Sequence, residues 1–190
     1  MMSREVSRAL IEKAARAGEG AVSFLFQGGE PTLAGLDFFR DFVSCVAGTF
    51  PKDLRVRYAL QTNGLLLDED WCRFFRENGV LVGLSLDGTR VCHDRFRRDS
   101  QGNGSYDRAL QALRLLARTG VEHNVLTVVT GYLARHVQGV FTALCRGGCR
   151  RERLAEQGGP GRNRWCESYA GFFPYALPRL RRAAELLRRG

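Results

Sequence analysis

The sequence predicts an α/β fold in which a parallel sheet forms a partial (β/α) barrel. Apolar runs of six to nine residues alternate with helical patterns of 11 to 15 residues. This alternation is typical of βα units, whose strands run parallel. Four units are visible, and a chain of 190 residues is shorter than the about 250 residues of a closed eight-stranded barrel. An open or partial barrel is therefore favoured.

Each element has its own local signal. The apolar runs predict strands at 21–26, 54–60, 80–86 and 121–129. Apolar residues at helical spacing predict helices at 3–18, 36–47, 68–78, 105–118 and 134–144. Ser3 and Ser105 stand where helix caps are expected, and Gly120 follows the end of the fourth helix. The polar stretch before Gly104 predicts a loop.

The character of the chain changes after residue 144. Glycine, proline and arginine dominate the next 20 residues, which is typical of a linker. A last helix is predicted at about 167–189, with Pro174 and Pro178 kinking or dividing it. We therefore predict two parts, a barrel domain at 1–144 and a short C-terminal part at 145–190.

Charge and hydropathy exclude some classes of protein. The net charge is +9, and residues 145–190 hold 11 arginines against four glutamates. Such a patch can bind nucleic acid, but no aromatic-interleaved RNA motif or zinc-finger spacing accompanies it, so a solvated helix face is expected. No apolar run approaches the roughly 20 residues of a membrane span, and the N-terminal residues lack a secretory h-region. A cytoplasmic protein with no membrane association is predicted.

Polar residues gather where the predicted strands end. These residues are Gln27, Gly28, Gly29, Glu30, Gln61, Thr62, Asn63, Ser85, Asp87, His93, Asp94 and Arg97. A parallel sheet brings its strand ends to one edge, where ligands of α/β proteins bind. An arginine can grip a carboxylate, and a glycine turn with a glutamate can hold an ammonium group. The pattern indicates a ligand that carries both groups.

The six cysteines fall into two groups. Cys45 and Cys72 lie in helical patterns and are expected in the core, while Cys92 is expected in a polar loop near the ligand edge. The other three are candidate metal ligands, namely Cys145, Cys149 and Cys166.

Several motifs, in this order, resemble those of anaerobic sulfatase-maturating enzymes, which are radical S-adenosylmethionine (SAM) proteins of the SPASM type. The motifs of the barrel are Phe26-Gln-Gly-Gly-Glu-Pro-Thr-Leu33, Gln61-Thr-Asn-Gly64, Gly83-Leu-Ser-Leu-Asp-Gly88, His93-Asp-Arg-Phe-Arg97 and Asn124-Val-Leu-Thr-Val-Val129. Those of the C-terminal part are Cys145-Arg-Gly-Gly-Cys149 and Trp165-Cys166-Glu-Ser-Tyr169. The resemblance implies a radical SAM barrel followed by a remnant of an auxiliary Fe–S cluster domain.

The resemblance also implies residue roles towards S-adenosylmethionine. Gly28, Gly29 and Glu30 match the motif that holds its methionyl amine. Ser85 matches a contact to the ribose, and Arg97 matches a contact to the methionyl carboxylate. Cys145, Cys149 and Cys166 match ligands of an auxiliary cluster.

The implied reaction is radical oxidation of a sulfatase. In that family a reduced [4Fe–4S] cluster cleaves S-adenosylmethionine, and a sulfatase cysteine or serine becomes formylglycine. The implied partners are a sulfatase polypeptide, with Gln27 near it, and an electron donor such as flavodoxin or ferredoxin.

Some parts of the family pattern are missing from this sequence. The Cys-x-x-x-Cys-x-x-Cys loop of the radical-generating cluster is absent, and so are a sixth strand, further auxiliary cysteines and a catalytic aspartate. No catalytic residue is identified, and three cysteines are fewer than the four that hold a [4Fe–4S] cluster. We therefore expect a chain truncated at its N-terminus, internally deleted and inactive by itself.

Two alternatives to an enzyme stay open at this point. One is a remnant that binds S-adenosylmethionine or a peptide without catalysis. The other is an arginine-rich nucleic-acid module in which Cys145, Cys149, Cys166 and His136 hold zinc. A gene fragment, a mis-assigned start and a degenerate paralogue are all compatible with the sequence, as are cysteine-type and serine-type sulfatases.

Overall fold

A four-stranded parallel sheet is the centre of the protein. The computed structural model describes residues 2–18, 20–128 and 130–146. Its strands are β1 (Ala21–Phe26), β2 (Arg55–Thr62), β3 (Val80–Ser85) and β4 (His123–Leu126). They lie in the order β1-β2-β3-β4, and each neighbouring pair is parallel. The predicted βα sheet is therefore confirmed.

Helices precede, connect and follow the strands. They are α1 (Arg4–Ala17), α2 (Leu36–Thr49), α3 (Glu69–Glu77), α4 (Arg90–Phe96), α5 (Tyr106–Arg118), α6 (Gly131–Ala134) and α7 (Val137–Arg146). A short 3₁₀ helix, Pro31–Ala34, precedes α2. The Ser3 side chain accepts a hydrogen bond from the Val6 amide, so this residue caps α1 as predicted.

Three details of the prediction are wrong. The stretch before Gly104 contains α4, which begins after the cap Thr89 and buries Cys92 and His93. The helix predicted at 134–144 is two helices, α6 and α7, separated by a turn. The last strand covers four residues, because extended pairing with β3 is limited to His123–Leu126.

The chain divides into two compact units. The first holds Met1–Leu86 and Arg108–Leu126 and includes the whole sheet. The second holds Asp87–Asp107 and the chain from Thr127 onward.

One face of the sheet packs against helices in the first unit. Phe24, Leu60, Val82 and Leu84 alternate with residues of the other face and are at most 8% exposed. Phe24 lies in a cluster with Ile11 of α1 and with residues of α2. Its ring meets the ring of Phe42 edge-on at a centroid distance of 5.1 Å. Such aromatic contacts, together with apolar burial, stabilise the layer.

The opposite face of the sheet is more open among the described residues. Leu25, Ala59 and Leu81 form one row across the three strands by register. Leu25 is 52% exposed, and the other two are half-buried. Parallel sheets usually bury both faces, whereas the described part of this protein covers one face of the sheet more completely than the other.

A small apolar cluster forms the core of the second unit. Cys92 is buried against Leu133 and Val140, with Tyr132 packed beside them. Gly88 is needed at the start of this unit, because its φ is +70° and a Cβ there would lie 2.4 Å from a methyl group of Val140. This cluster fixes α4 against α6 and α7.

Some predictions lie outside the described residues. They include Cys149, Cys166 and the helix predicted at about 167–189; of Cys145 only the backbone, in α7, is described. The domain boundary after residue 144 stays a prediction. Among the described residues, no helix combines the length and the apolar character that crossing a membrane requires.

Candidate functional site

The turn after β1 is open and is built on two glycines. Gly28 and Gly29 have φ values of +100° and +55°, where other residues are strained. A Cβ at either position would meet nothing within 4 Å. Both glycines and Gln27 are exposed. The glycines are therefore needed for backbone conformation, and the described residues leave the positions of their missing Cβ atoms unobstructed.

Glu30 ends this turn and receives four hydrogen bonds. Its Oε1 accepts from the Thr32 amide at 3.1 Å and from the Thr32 hydroxyl at 2.6 Å. The same oxygen accepts from the Thr62 hydroxyl at 2.7 Å, and Oε2 accepts from the Asn63 amide at 2.8 Å. The first two bonds cap the 3₁₀ helix, whose first residue is Pro31. The other two join the ends of β1 and β2.

The turn after β2 is shaped to meet this carboxylate. Thr62 is 2% exposed, and its hydroxyl accepts a hydrogen bond from the Gly64 amide at 3.0 Å. Gly64 has a φ of +79°, and a Cβ there would lie 2.5 Å from Leu84 Cδ1. Asn63 accepts a hydrogen bond from the Leu65 amide through its side chain at 2.9 Å. The loop is thus held by its own side chains.

No cation neutralises Glu30 within the part of the chain that the structure describes. The carboxylate is half-buried, and its four partners are neutral amides and hydroxyls. None of the ion pairs formed by the described arginines and lysines includes it. A half-buried anion with only neutral donors is suited to a cationic ligand.

Ser85 is the last residue of β3 and belongs to the first unit. It is 6% exposed, and by alternation along β3 it lies on the same face of the sheet as Leu81. Its place at a strand end agrees with the edge at which α/β proteins bind ligands.

Arg97 belongs to the second unit and pairs with Asp87. Arg97 Nε donates to Asp87 Oδ2 at 2.5 Å, and Nη2 donates to Oδ1 at 3.3 Å. The Asp87 side chain is 6% exposed and also accepts from the Val128 amide at 2.9 Å, whereas the Arg97 side chain is 26% exposed. A buried carboxylate therefore holds a partly exposed guanidinium in one orientation.

His93 and Asp94 do not point to a ligand, contrary to the expectation from their position in the sequence. His93 is 1% exposed; its Nδ1 accepts from the Asp87 amide at 3.2 Å, and its Nε2 lies 3.0 Å from the Ser105 hydroxyl. That hydroxyl donates to the Arg97 carbonyl at 3.0 Å, so Nε2 carries the histidine proton. Burial lowers the pKa of His93. This side chain is therefore a structural part of the second unit.

Asp94 caps the fifth helix in place of Ser105. Its Oδ1 accepts from the Tyr106 amide at 2.8 Å, while the Ser105 hydroxyl is used by His93 and Arg97. The prediction that Ser105 caps this helix is wrong, because the carboxylate 12 residues earlier reaches the first amide.

The cysteines whose side chains the structure describes do not form a cluster loop. Cys45 is half-buried on α2, Cys72 is buried on α3, and Cys92 is buried on α4. The expectation that Cys92 lies in a polar loop is wrong, because α4 packs it in an apolar cluster. Among the described residues, no three His, Cys, Asp or Glu side chains meet in a way that could hold a metal.

The sequence did not single out Thr32 or Asp87 as parts of these networks. A local signal exists for Thr32, because a threonine two residues after a glutamate can support a cap. Asp87 was placed at a strand end, but its pairing with Arg97 depends on a helix, α4, that was not predicted.

The parallel βα sheet, whose first strand ends in a Gly-Gly-Glu turn, places this protein in the α/β class. Residues 1–144 match the model of the Radical SAM superfamily. The chain belongs to this superfamily, whose members use S-adenosylmethionine and Fe–S clusters.

Within the superfamily the chain is similar to anaerobic sulfatase-maturating enzymes. It is 40% identical over 141 residues to the cysteine-type enzyme of Clostridium novyi, and the match covers 74% of this chain and 38% of that enzyme. It is 38% identical over 134 residues to the serine-type enzyme of Klebsiella aerogenes, covering 70% and 33% of the two chains. The chain thus spans about a third of the length of these relatives.

Solved structures show the same likeness. The structure of anSMEcpe with bound AdoMet has a TM-score of 0.75 and 40% identity, over 77% of this chain and 40% of that one. The structure of anSMEcpe with AdoMet and the Cp18Cys peptide has the same TM-score and identity, over 77% and 41%. The predicted radical SAM fold is therefore confirmed.

Proposed function

We propose that this chain binds S-adenosylmethionine at the Gly28–Gly29–Glu30 turn, as the cofactor-binding part of a sulfatase-maturation protein. The observation that carries the proposal is the half-buried Glu30 carboxylate, whose described partners are all neutral. An ammonium group would complete its charge balance. The open space beside the two glycines supports close approach of a ligand to the backbone.

The resemblance implies roles for two further residues towards the rest of the cofactor. Arg97, held by Asp87, would bind the methionyl carboxylate, because a guanidinium fixed on one side still has donors on the other. Ser85, at the end of β3, would meet the ribose. In this family the bound cofactor supplies radical hydrogen abstraction, and the protein orients it and excludes water.

We further propose a sulfatase polypeptide as the substrate class and a flavodoxin or ferredoxin as the electron donor. The peptide-bound anSMEcpe structure supports a polypeptide substrate. Gln27, which is exposed and next to the glycine turn, would be a contact to this polypeptide. Both cysteine-type and serine-type enzymes are among the relatives.

The cysteines that the structure describes do not fit a radical-generating cluster. They lie on three different helices, and two of them are buried. Cys145, Cys149 and Cys166 stay candidate auxiliary ligands, with side chains outside the described residues. No reaction step of the protein is therefore assigned to these thiols.

Calorimetric titration with S-adenosylhomocysteine tests the proposed binding. Arg97→Ala should weaken binding by about 1.5–3 kcal/mol, the usual contribution of a charged hydrogen bond. Arg98→Ala is the matched control, because that exposed side chain donates to the Gly102 carbonyl in its own loop. Arg97→Lys keeps a positive charge beside buried Asp87 and controls for loss of folding. Equal affinity of wild type and Arg97→Ala would contradict the assignment.

A further inference from the structure

The Thr62 hydroxyl connects the turns that follow β1 and β2. It donates to Glu30 Oε1 at 2.7 Å and accepts from the Gly64 amide at 3.0 Å. Thr62 and Glu30 are 32 residues apart, and Thr62 is 2% exposed. A buried hydroxyl with both a donor and an acceptor partner has one rotational state. It is therefore a rigid support for the carboxylate.

The hydrogen bonds to Glu30 are divided unequally between its two oxygens. Oε1 receives three of them, from Thr62 and from the amide and hydroxyl of Thr32. Oε2 receives one, from the Asn63 amide. A carboxylate oxygen offers about two lone-pair positions, so Oε1 is saturated and Oε2 keeps room for a further donor.

We propose that Thr62 is a positioning residue, which fixes the rotation of the Glu30 carboxylate so that Oε2 receives the ammonium group of an amino-acid ligand. The inference rests on the proposed function, because the methionyl part of S-adenosylmethionine supplies that ammonium. Thr62 acts through Glu30. Without its hydroxyl, Oε1 loses its bond to β2. The bonds from Thr32 and from the Asn63 amide remain, so the terminal torsion of the Glu30 carboxylate is held less tightly.

Two variants and two ligands separate positioning from general support. Thr62→Val removes the hydroxyl at similar volume, and Thr62→Ser retains it. S-adenosylhomocysteine carries the ammonium and carboxylate groups, whereas 5′-methylthioadenosine lacks both. We expect Thr62→Val to weaken S-adenosylhomocysteine binding by about tenfold, the effect of one good hydrogen bond. Binding of 5′-methylthioadenosine should change by less than about twofold, and Thr62→Ser should behave as wild type with both.

Amide exchange gives a readout that needs no ligand. The Asn63 and Thr32 amides donate to the Glu30 carboxylate, so their hydrogen exchange should accelerate in Thr62→Val and stay slow in Thr62→Ser. Thr119→Val is the matched control, because its hydroxyl donates to the Leu115 carbonyl at 2.8 Å at the end of α5. This control should change neither exchange at the turn nor the ratio of the two affinities.

The outcomes distinguish a failure of the role inferred for Thr62 from a failure of the proposed function. An equal loss of affinity for both ligands in Thr62→Val would make Thr62 a general structural residue and overturn the inference. Unchanged S-adenosylhomocysteine affinity would also overturn it. Wild-type protein that binds no S-adenosylhomocysteine would overturn the proposed function instead, and amide exchange would then decide whether Thr62 holds Glu30.

Discussion

Gly28 and Gly64 both have positive φ values, yet they are needed for different reasons. At Gly28 an added Cβ would enter open space, so only the backbone conformation demands glycine. At Gly64 the added atom would lie 2.5 Å from Leu84 and 2.9 Å from Ala112. Gly28 is thus a conformational requirement, whereas Gly64 is also a packing requirement between the β2 turn and the core.

This difference predicts two different losses of stability. Gly28→Ala should lower the free energy of unfolding by about 1–2 kcal/mol, the usual strain of a non-glycine residue in the left-handed region. Gly64→Ala should lower the free energy of unfolding by about 1–3 kcal/mol more than Gly28→Ala does, because overpacking adds to the strain. Urea unfolding monitored by tryptophan fluorescence would measure both. Equal losses would contradict the packing role of Gly64.

Buried His93 predicts that stability depends on pH. Burial is the main cause of its lowered pKa; Asp87 and Asp94 oppose that effect, and Arg97 reinforces it. As the pH falls, the histidine of the unfolded chain, with a pKa of about 6.5, takes up a proton before the histidine of the folded protein does. The contribution of His93 to folding stability is therefore fully present above that pH. It falls as the pH drops from there towards the lower folded pKa, by up to about 1.4 kcal/mol per pH unit.

The free energy of unfolding, measured in urea at a series of pH values from about 5 to 8, would give this dependence. Protonated Nδ1 would also face the Asp87 amide donor, which removes a hydrogen bond from the loop. His93→Gln removes the titrating group and should flatten the profile over this range. A wild-type profile as flat as that of the variant would show that His93 does not titrate differently in the two states.

At the scale of the elements, α5 begins at a residue set by a distant carboxylate. Asp94 accepts from the Tyr106 amide, and it lies against Gly104, where an added Cβ would be 2.3 Å from the carboxylate carbon. The cap therefore needs both a side chain on α4 and the absence of one at Gly104. It ties the start of α5 to the preceding helix.

Asp94→Ala should lower the free energy of unfolding by about 0.5–2 kcal/mol, as loss of an N-cap does. Asp37→Ala is the control, because its side chain is 90% exposed in an ion pair with Arg40; we expect about 0–1 kcal/mol there. Thermal or urea unfolding would compare the two. A larger loss for Asp37→Ala would contradict the capping role of Asp94.

The elements that the sequence predicted well carry local, repeated signals. The bounds of β1 were predicted correctly, because Val22, Phe24 and Phe26 are bounded by glycines on both sides. α4 was missed, because its seven residues are mostly polar and its buried side chains, Cys92 and His93, are not an obvious apolar pattern.

The sequence predicted which residues of the site lie at strand ends, but it did not predict the hydrogen bonds between them. The glycine turn and the threonine-containing loop follow strands that periodicity reveals. The bond between Glu30 and Asn63 joins residues 33 apart in sequence, and its geometry depends on the register of β1 against β2. The roles that the resemblance assigned to Ser85 and Arg97 stay predictions.

At the scale of the whole molecule, this 190-residue chain by itself should not mature a sulfatase. Its six cysteines contain no Cys-x-x-x-Cys-x-x-Cys loop, the motif expected to hold the radical-generating cluster. An anaerobic assay with dithionite, S-adenosylmethionine and a sulfatase peptide should yield no 5′-deoxyadenosine above a no-enzyme control. The cysteine-type anaerobic sulfatase-maturating enzyme of Clostridium novyi is the positive control, and turnover by this chain would refute the prediction.

The unequal faces of the sheet make tolerance to substitution alternate along β1. Phe24 is 8% exposed and Leu25, its neighbour in sequence, is 52% exposed. Polar replacement of Phe24 removes a core ring, for which truncation alone costs about 3–5 kcal/mol. The same replacement of Leu25 removes a side chain that is already about half exposed to solvent, so it should cost less. In a saturation scan of this strand, the loss of stability on substitution would therefore alternate with a period of two residues. That period would identify the buried face without any structure.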